Sequence, residues 1–512
     1  MSTANVKRGV KHMRTLTHLF TALALAGSLA ACKKGGEGSK DPGSKGAKKT
    51  QGTRDVPTVQ AKAEFDKVAA AYEKDVPEGS EPSAEACNKY VGKFQKLYKQ
   101  FGDQMTIAEF NAAALQERCG DKGSAEKSYT ALANKKYMPA MNNLGVLLWN
   151  QGNHAKALEW FDKAVAADPK RAFEARNNLA AAKRDTYAES LDVTEFDAAL
   201  KNIQNILAVD TSNKMAYENL ARLYYDRGRL KDKSYLLLSN LVVSQALRVL
   251  KEEGEESSEI YNLQGLLLMQ DDNQVDALRA FKKAVEVEPN HVDANLNIAF
   301  IAIRFRDYVT AEKSLKIAMA APRVQRDIEA QIALGVAQRG LKQYTDAEAT
   351  YMKAVGLDAE DPRPWFNLGV LYQDHRISED GVDQAKTEEF YRTAQKHFDK
   401  YCSVAAGKAC KEVNTKSMAK SAKRGRTLDE EKKLIADAKL RVIVIDEAFA
   451  AFRQMEELER KMKELAKIEA EQAAAEKARL LELERMAREA EEADDEEGDD
   501  SAADAGDGAA SE

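Results

Sequence analysis

The chain has 512 residues, 31% of them charged, with ten prolines and a formal net charge of −6. At roughly 100–200 residues per domain it is long enough for several domains, and its shortage of strand formers argues against a β-rich fold. The small net charge conceals a basic start and an acidic finish.

Lys7, Arg8, Lys11 and Arg14 form a positive n-region ahead of an apolar run, Leu19 to Ala31, that is too short to span a bilayer comfortably. The run ends in Leu29-Ala30-Ala31-Cys32, which resembles a bacterial lipobox. That resemblance implies removal of residues 1–31, lipidation of the Cys32 thiol and anchorage through acyl chains, each buried CH₂ contributing roughly 0.8 kcal/mol. Lys33 favours the outer membrane over inner-membrane retention. Residues 32–56, rich in Gly, Ser and Lys, read as a flexible tether with a typical end-to-end distance of about 25–30 Å.

Residues 57–105 hold two helical patterns, Val59–Lys74 and Ala84–Phe101, without a repeat signature, and are expected to cap the array that begins at residue 106. Cys87 and Cys119 are placed symmetrically about the turn at Asp103, so an antiparallel hairpin would bring them to one height and permit a disulfide. Cys402 and Cys410 form a second candidate pair, closing a short loop through Gly407. Buried free thiols are the alternative for both pairs.

From residue 106 to 411 a helical hairpin recurs. Its clearest copy is Met138–Arg171, with Leu144, Gly145, Leu148, Ala157, Phe161, Ala164 and Pro169. Gly265, Leu268, Ala277, Phe281, Ala284 and Pro289 repeat that spacing, as do Leu334, Gly335, Ala347, Tyr351 and Ala354, while Trp365, Leu368, Gly369 and Tyr372 match its first helix. These offsets resemble the 34-residue tetratricopeptide repeat (TPR), at about eight copies. The resemblance implies an all-α superhelical solenoid with a concave inner surface.

After the array, residues 412–427 form a basic linker, better explained in an exported protein as a solvated connection than as a nucleic-acid site. Residues 428–492 lack Pro and Gly and predict one long charged, coiled-coil-like helix of about 95 Å. Its early apolar residues, Val442, Ile445, Phe449, Phe452, Met455, Leu458 and Met462, would pack on the array or on another helix, with oligomerisation as one outcome. Residues 493–512 read as an acidic disordered tail.

No catalytic constellation, cofactor loop or metal motif emerges. His154, His291, His375 and His397 fall at helix ends or turns without a partner at ligand spacing. The reading is therefore a protein that is not an enzyme. The informative column is the residue before the Leu-Gly or Leu-Ala step: Asn143, Asn178, Asn219, Asn297 and Asn367, replaced by Leu263 and Ala333 in other copies. A carboxamide donates and accepts, so these residues have two explanations. They hold an extended partner peptide in the groove, as the resemblance to TPR proteins with an asparagine ladder implies, or they bond a neighbouring repeat. Six residues on, Trp149 and Tyr225 head a series with Met269, Ile303, Arg339 and Gln373 that would suit an adaptable protein-binding groove.

The layout of lipobox, tether, repeats and charged C-terminal helix resembles the TPR lipoproteins of the adventurous gliding-motility envelope complex. It implies an outer-membrane-anchored periplasmic scaffold linking a motor-driven assembly to the outer membrane. One alternative is a lipoprotein regulator or assembly factor of envelope biogenesis, acting in cell-wall synthesis or in pilus or outer-membrane assembly; a more remote one is an enzyme with an unrecognised site.

Overall fold

The computed structural model describes residues 57–77, 80–415 and 428–499, with side chains to residue 490. The signal segment, Cys32, the tether, most of the basic linker and the last residues of the acidic tail lie outside the described residues. The described chain is helical throughout and forms two compact units that divide between Leu341 and Lys342.

The first unit opens with α1 (Val59–Asp75), α2 (Ala84–Phe101) and a 3-10 turn (Gly102–Met105). Hairpins follow: α3 (Thr106–Arg118) with α4 (Lys122–Asn134), α5 (Met138–Asn150) with α6 (His154–Ala167), and α7 (Phe173–Ser190) with α8 (Val193–Leu207). Next come α9 (Lys214–Leu230) with α10 (Ser234–Glu252), α11 (Ser258–Gln270) with α12 (Gln274–Val287), and α13 (Val292–Arg304) with α14 (Tyr308–Ala318). The unit ends with a single turn, α15 (Pro322–Gln325), and α16 (Ile328–Gly340).

Short polar residues start many of these helices by accepting a bond from a backbone N–H in the first turn, among them Ser83, Asp121, Asn213, Ser257, Asn273, Asp307 and Asp327. A single left-handed residue reverses the chain inside a hairpin: Gly152 at φ 82°, and Asp272 and Arg306 at φ 56° and 62°. Within the hairpins, a Cβ built on Gly145 would lie 2.6 Å from the Phe161 ring, and one on Gly265 would lie 2.5 Å from the Phe281 ring. The missing Cβ lets a fully buried ring from the second helix lie on the backbone of the first.

Helices α1 and α2 bury Phe65, Tyr72, Tyr90, Phe94 and Leu97 against Met105 and Leu115, closing the unit with an aromatic cap. A disulfide joins Cys87 on α2 to Cys119 at the end of α3, with Cα atoms 6.1 Å apart. It ties the cap to the first hairpin.

The second unit comprises α17 (Tyr344–Leu357), α18 (Pro362–Val370), a π-turn (Leu371–His375) running into a 3-10 turn (Arg376–Ser378), α19 (Gln384–Ala406), a 3-10 turn (Cys410–Glu412) and α20 (Leu428–Asp499). Here α19 extends beyond the expected Ala385–Tyr401, and α20 continues past the expected end at residue 492. Phe398 lies under Gly369, whose added Cβ would be 2.6 Å from the ring. Cys402 and Cys410 are bonded with Cα atoms 5.1 Å apart, which holds the 3-10 turn against α19.

That turn helps seat the start of α20. Lys439 Nζ donates to the Val413 carbonyl at 3.3 Å, Lys411 pairs with Asp446, and Ile435, Ala438, Val442 and Ile445 are fully buried with Phe398 and Tyr401 of α19. The apolar series expected to run from Val442 to Met462 therefore divides. Phe449 and Phe452 still touch Tyr391, whereas Met455, Leu458 and Met462 are more than half exposed.

Candidate binding face on the first helices

Asn143, Asn178, Asn219, Asn297 and Asn367 are each the sixth residue of a first helix. Asn111 holds the same place in α3, where the slightly short first repeat hides it from a comparison anchored on Ala113. In the first unit the ladder they build runs between repeats. Asn178 donates to Asn142 Oδ1 at 2.8 Å, Asn219 to Asn177 Oδ1 at 3.1 Å, and Asn297 to Asn262 Oδ1 at 3.1 Å. Each sixth-position carboxamide thus reaches the fifth-position Asn of the preceding hairpin.

The exceptions obey the same geometry. The fifth residue of α3 is Phe110, which cannot accept, so Asn143 donates instead to the Tyr129 hydroxyl at 3.3 Å. Before Asn111 stands the aromatic cap, and neither atom of its buried carboxamide has a partner. In the second unit Asn367 donates to the Arg363 carbonyl of its own helix at 3.0 Å.

Of the two explanations for the Asn column, Asn178, Asn219 and Asn297 therefore follow the inter-repeat one, and Asn178 is wholly buried. Replacing Asn178 with Ala is expected to destabilise the first unit by about 1–3 kcal/mol, because Asn142 is left with an unpaired buried acceptor. Urea unfolding of that variant and of the Asn142→Ala/Asn178→Ala pair checks this: the pair should lose less than the two single losses added.

Trp149 and Tyr225, expected to face the groove, are each 3% exposed and belong to core clusters. Trp149 packs beside its own hairpin turn and stacks on His154 at 4.3 Å. Adjacent hairpins cover this register at those two repeats. Farther along, Met269, Ile303 and Arg339 are partly exposed.

Sequence reading also passed over a polar cluster between α9, α11 and α13. Arg222, 4% exposed, donates from Nε to Glu259 Oε1 at 2.9 Å, and Glu259 Oε2 lies 3.3 Å from His291 Nε2. His291 is not a solvated helix end: its Nδ1 accepts from the Ala294 N–H and caps α13. Burial would lower its pKa, but the hydrogen bond and charge of Glu259, with Asp293 and Glu288 nearby, raise it above the ordinary value. Glu218, in the fifth position of α9, faces a repeat whose sixth residue is Leu263. It accepts instead from the Ser257 hydroxyl at 2.6 Å, and burial pushes its carboxyl up to about 7. Arg323 and Asp293, 2.9 Å apart, extend the cluster towards α15.

This face offers hydrogen bonds and paired charges. No group of three or more His, Cys, Asp or Glu that could hold a metal occurs among the described residues. None of the described helices is long and apolar enough to cross a membrane.

Tetratricopeptide-repeat family models match residues 113–172 and 328–361, so the chain carries TPR repeats in both places. No curated protein matches it. Similar solved structures include pilF of Pseudomonas aeruginosa, at 18% identity over 45% of this chain and 96% of that one, with a TM-score of 0.34. MamA of Desulfovibrio magneticus RS-1 shares 24% identity over 36% of this chain and 94% of its own, with a TM-score of 0.27. YrrB, described as a TPR protein with an unusual peptide-binding site, shares 19% identity over 40% of this chain and 96% of its own, with a TM-score of 0.28. The repeat array is a scaffold suited to protein–protein interaction.

Proposed function

We propose that the protein is an outer-membrane-anchored periplasmic adaptor, holding protein partners on its repeat array within an envelope-spanning complex such as gliding-motility machinery. The cysteines carry the reading. Four of the five are paired in the folded body, which fits an oxidising compartment, and the fifth is Cys32 of the lipobox-like segment. Partner segments engage the partly exposed first-helix positions Met269 and Ile303 of the first unit and, separately, Asn367 of the second, since Trp149 and Tyr225 are committed to packing.

Two measurements test this. Replacing residues 1–32 with a cleavable secretory signal that carries no lipidation cysteine is expected to move the protein from the membrane fraction to the soluble periplasmic fraction, and retention in the membrane would remove the anchor. Photo-crosslinkers at positions 269, 303 and 367, used in cells, should capture envelope proteins identifiable by mass spectrometry. Absence of crosslinks at all three, with capture only along α20, would move the binding function off the array. Recovery of cell-wall synthases, or of pilus or outer-membrane assembly proteins, would replace the motility assignment with envelope biogenesis.

A further inference from the structure

Beyond its contacts with α19, α20 projects as a helix whose side chains are all exposed from Arg453 to Ala490. A lone solvated helix has no need of large apolar residues, yet Met462, Leu465, Ile468, Leu480, Leu483 and Met486 are each 45% exposed or more. Their spacing is mirror-symmetric. Met462, Leu465 and Ile468 lie 12, 9 and 6 residues before Ala474, and Leu480, Leu483 and Met486 lie 6, 9 and 12 after it.

With Met462 as a and Leu465 as d, the heptad continues through Glu469, Gln472, Glu476, Arg479, Leu483 and Met486. A parallel, in-register pair would set Glu469, Glu476 and Arg479 each against its own counterpart, burying three like-charge layers. An antiparallel pair with its two-fold axis at Ala474 removes all three. Met462 then meets Met486 of the second copy, Leu465 meets Leu483, Glu469 meets Arg479, and Gln472 meets Glu476. At the flanks Lys461 faces Glu489, and near the axis Ala473 and Ala475 meet their own counterparts, small enough for close approach.

We infer that this exposed stripe is the interface for a second copy of the same chain, joined as an antiparallel two-stranded coiled coil centred on Ala474. The isologous arrangement uses one surface twice and closes on itself. The two last-repeat domains would then sit at opposite ends of the paired rods, about 70 Å apart at 1.5 Å per residue.

The test uses the chain from residue 33 to 512, exported behind a cleavable signal that carries no lipidation cysteine. Sedimentation should give a dimer at micromolar concentration. Under mild oxidation, L465C mixed with L483C should form a cross-linked heterodimer, while neither variant cross-links with itself. E469R alone should weaken dimerisation about tenfold or more, a change of roughly 1.4 kcal/mol per decade, and R479E alone should do the same. The E469R/R479E double variant should recover the dimer, because the exchange restores opposite charges only in the antiparallel register. Circular dichroism of each variant verifies that the rod is still helical. A monomer up to about 100 µM, far above the range of a specific dimer, overturns the proposal. So does self-cross-linking of L465C, or a double variant as weak as the singles.

Discussion

Phe281→Ala is expected to destabilise the α11–α12 hairpin by about 3–5 kcal/mol, the usual loss for a buried aromatic, and Gly265→Ala by about 1–3 kcal/mol through overpacking. The Phe281 ring is fully buried, and a Cβ on Gly265 would approach its Cε1, Cδ1 and Cζ atoms to 2.5, 2.7 and 2.8 Å. The ring has nowhere to move, because Ala277 and Ala284 fix the second helix at closest approach and Ile298 and Ile301 of the next hairpin close its far side. With the ring removed, the methyl group introduced at position 265 enters the vacated space. The double variant should therefore lose clearly less than the two single losses added. Urea unfolding gives the totals, and hydrogen exchange locates them. In a stacked array each hairpin is stabilised mainly by its neighbours, so protection should fall in α11–α14 and persist in the disulfide-tied cap. Additive losses, or uniform loss of protection, would refute this account of the glycine.

The same pair of residues explains why so much of the fold is legible in the sequence. Gly145 and Phe161, and Gly265 and Phe281, recur at one spacing, and Gly369 and Phe398 repeat the contact across a longer turn; in each case both members lie within one hairpin, where local geometry alone brings them together. The binding face is less legible for the opposite reason. The bond from Asn178 to Asn142 joins the sixth position of one helix to the fifth position of the first helix of the preceding hairpin. Comparing one column across repeats finds the recurrent Asn but not its diagonal partner. His291 looks like an idle helix-end residue until the preceding repeat supplies Glu259 3.3 Å away. Trp149 has the size of a groove ligand, and only the neighbouring hairpin reveals that it is covered. On α20 the sequence period is continuous through Val442 and Met462, and what separates them is that α19 ends its contact near Phe452.

Raising the pH from about 4.5 to 8 is expected to weaken the junction between α9 and α11, and Glu218→Gln to remove most of that dependence. Burial holds the folded-state pKa of Glu218 up to about 7 against an ordinary 4.5; Glu259 adds to the rise, while the Ser257 hydroxyl, Lys214 and His291 oppose it. A carboxyl with a raised folded pKa ionises more readily in the unfolded chain. The folded state is therefore unpenalised below the ordinary value of 4.5, loses stability progressively as pH climbs towards 7, and stays penalised above it. A shift of that size corresponds to about 3 kcal/mol at pH 8. His291 acts in the same direction: its folded pKa is raised, so its contribution is complete below the unfolded value and is lost as pH rises through the folded one. Gln at position 218 keeps a hydrogen bond for Ser257 and cannot ionise. The variant should match the parent near pH 4.5 and exceed it by up to about 3 kcal/mol at pH 8, leaving only the shallower slope of His291. Parallel stability curves for parent and variant across this range would mean that Glu218 is already ionised at no cost in the fold. Because Arg222, Glu259 and His291 bridge successive first helices here, a junction that tightens on acidification would alter how the two neighbouring hairpins present their first-helix face to a partner.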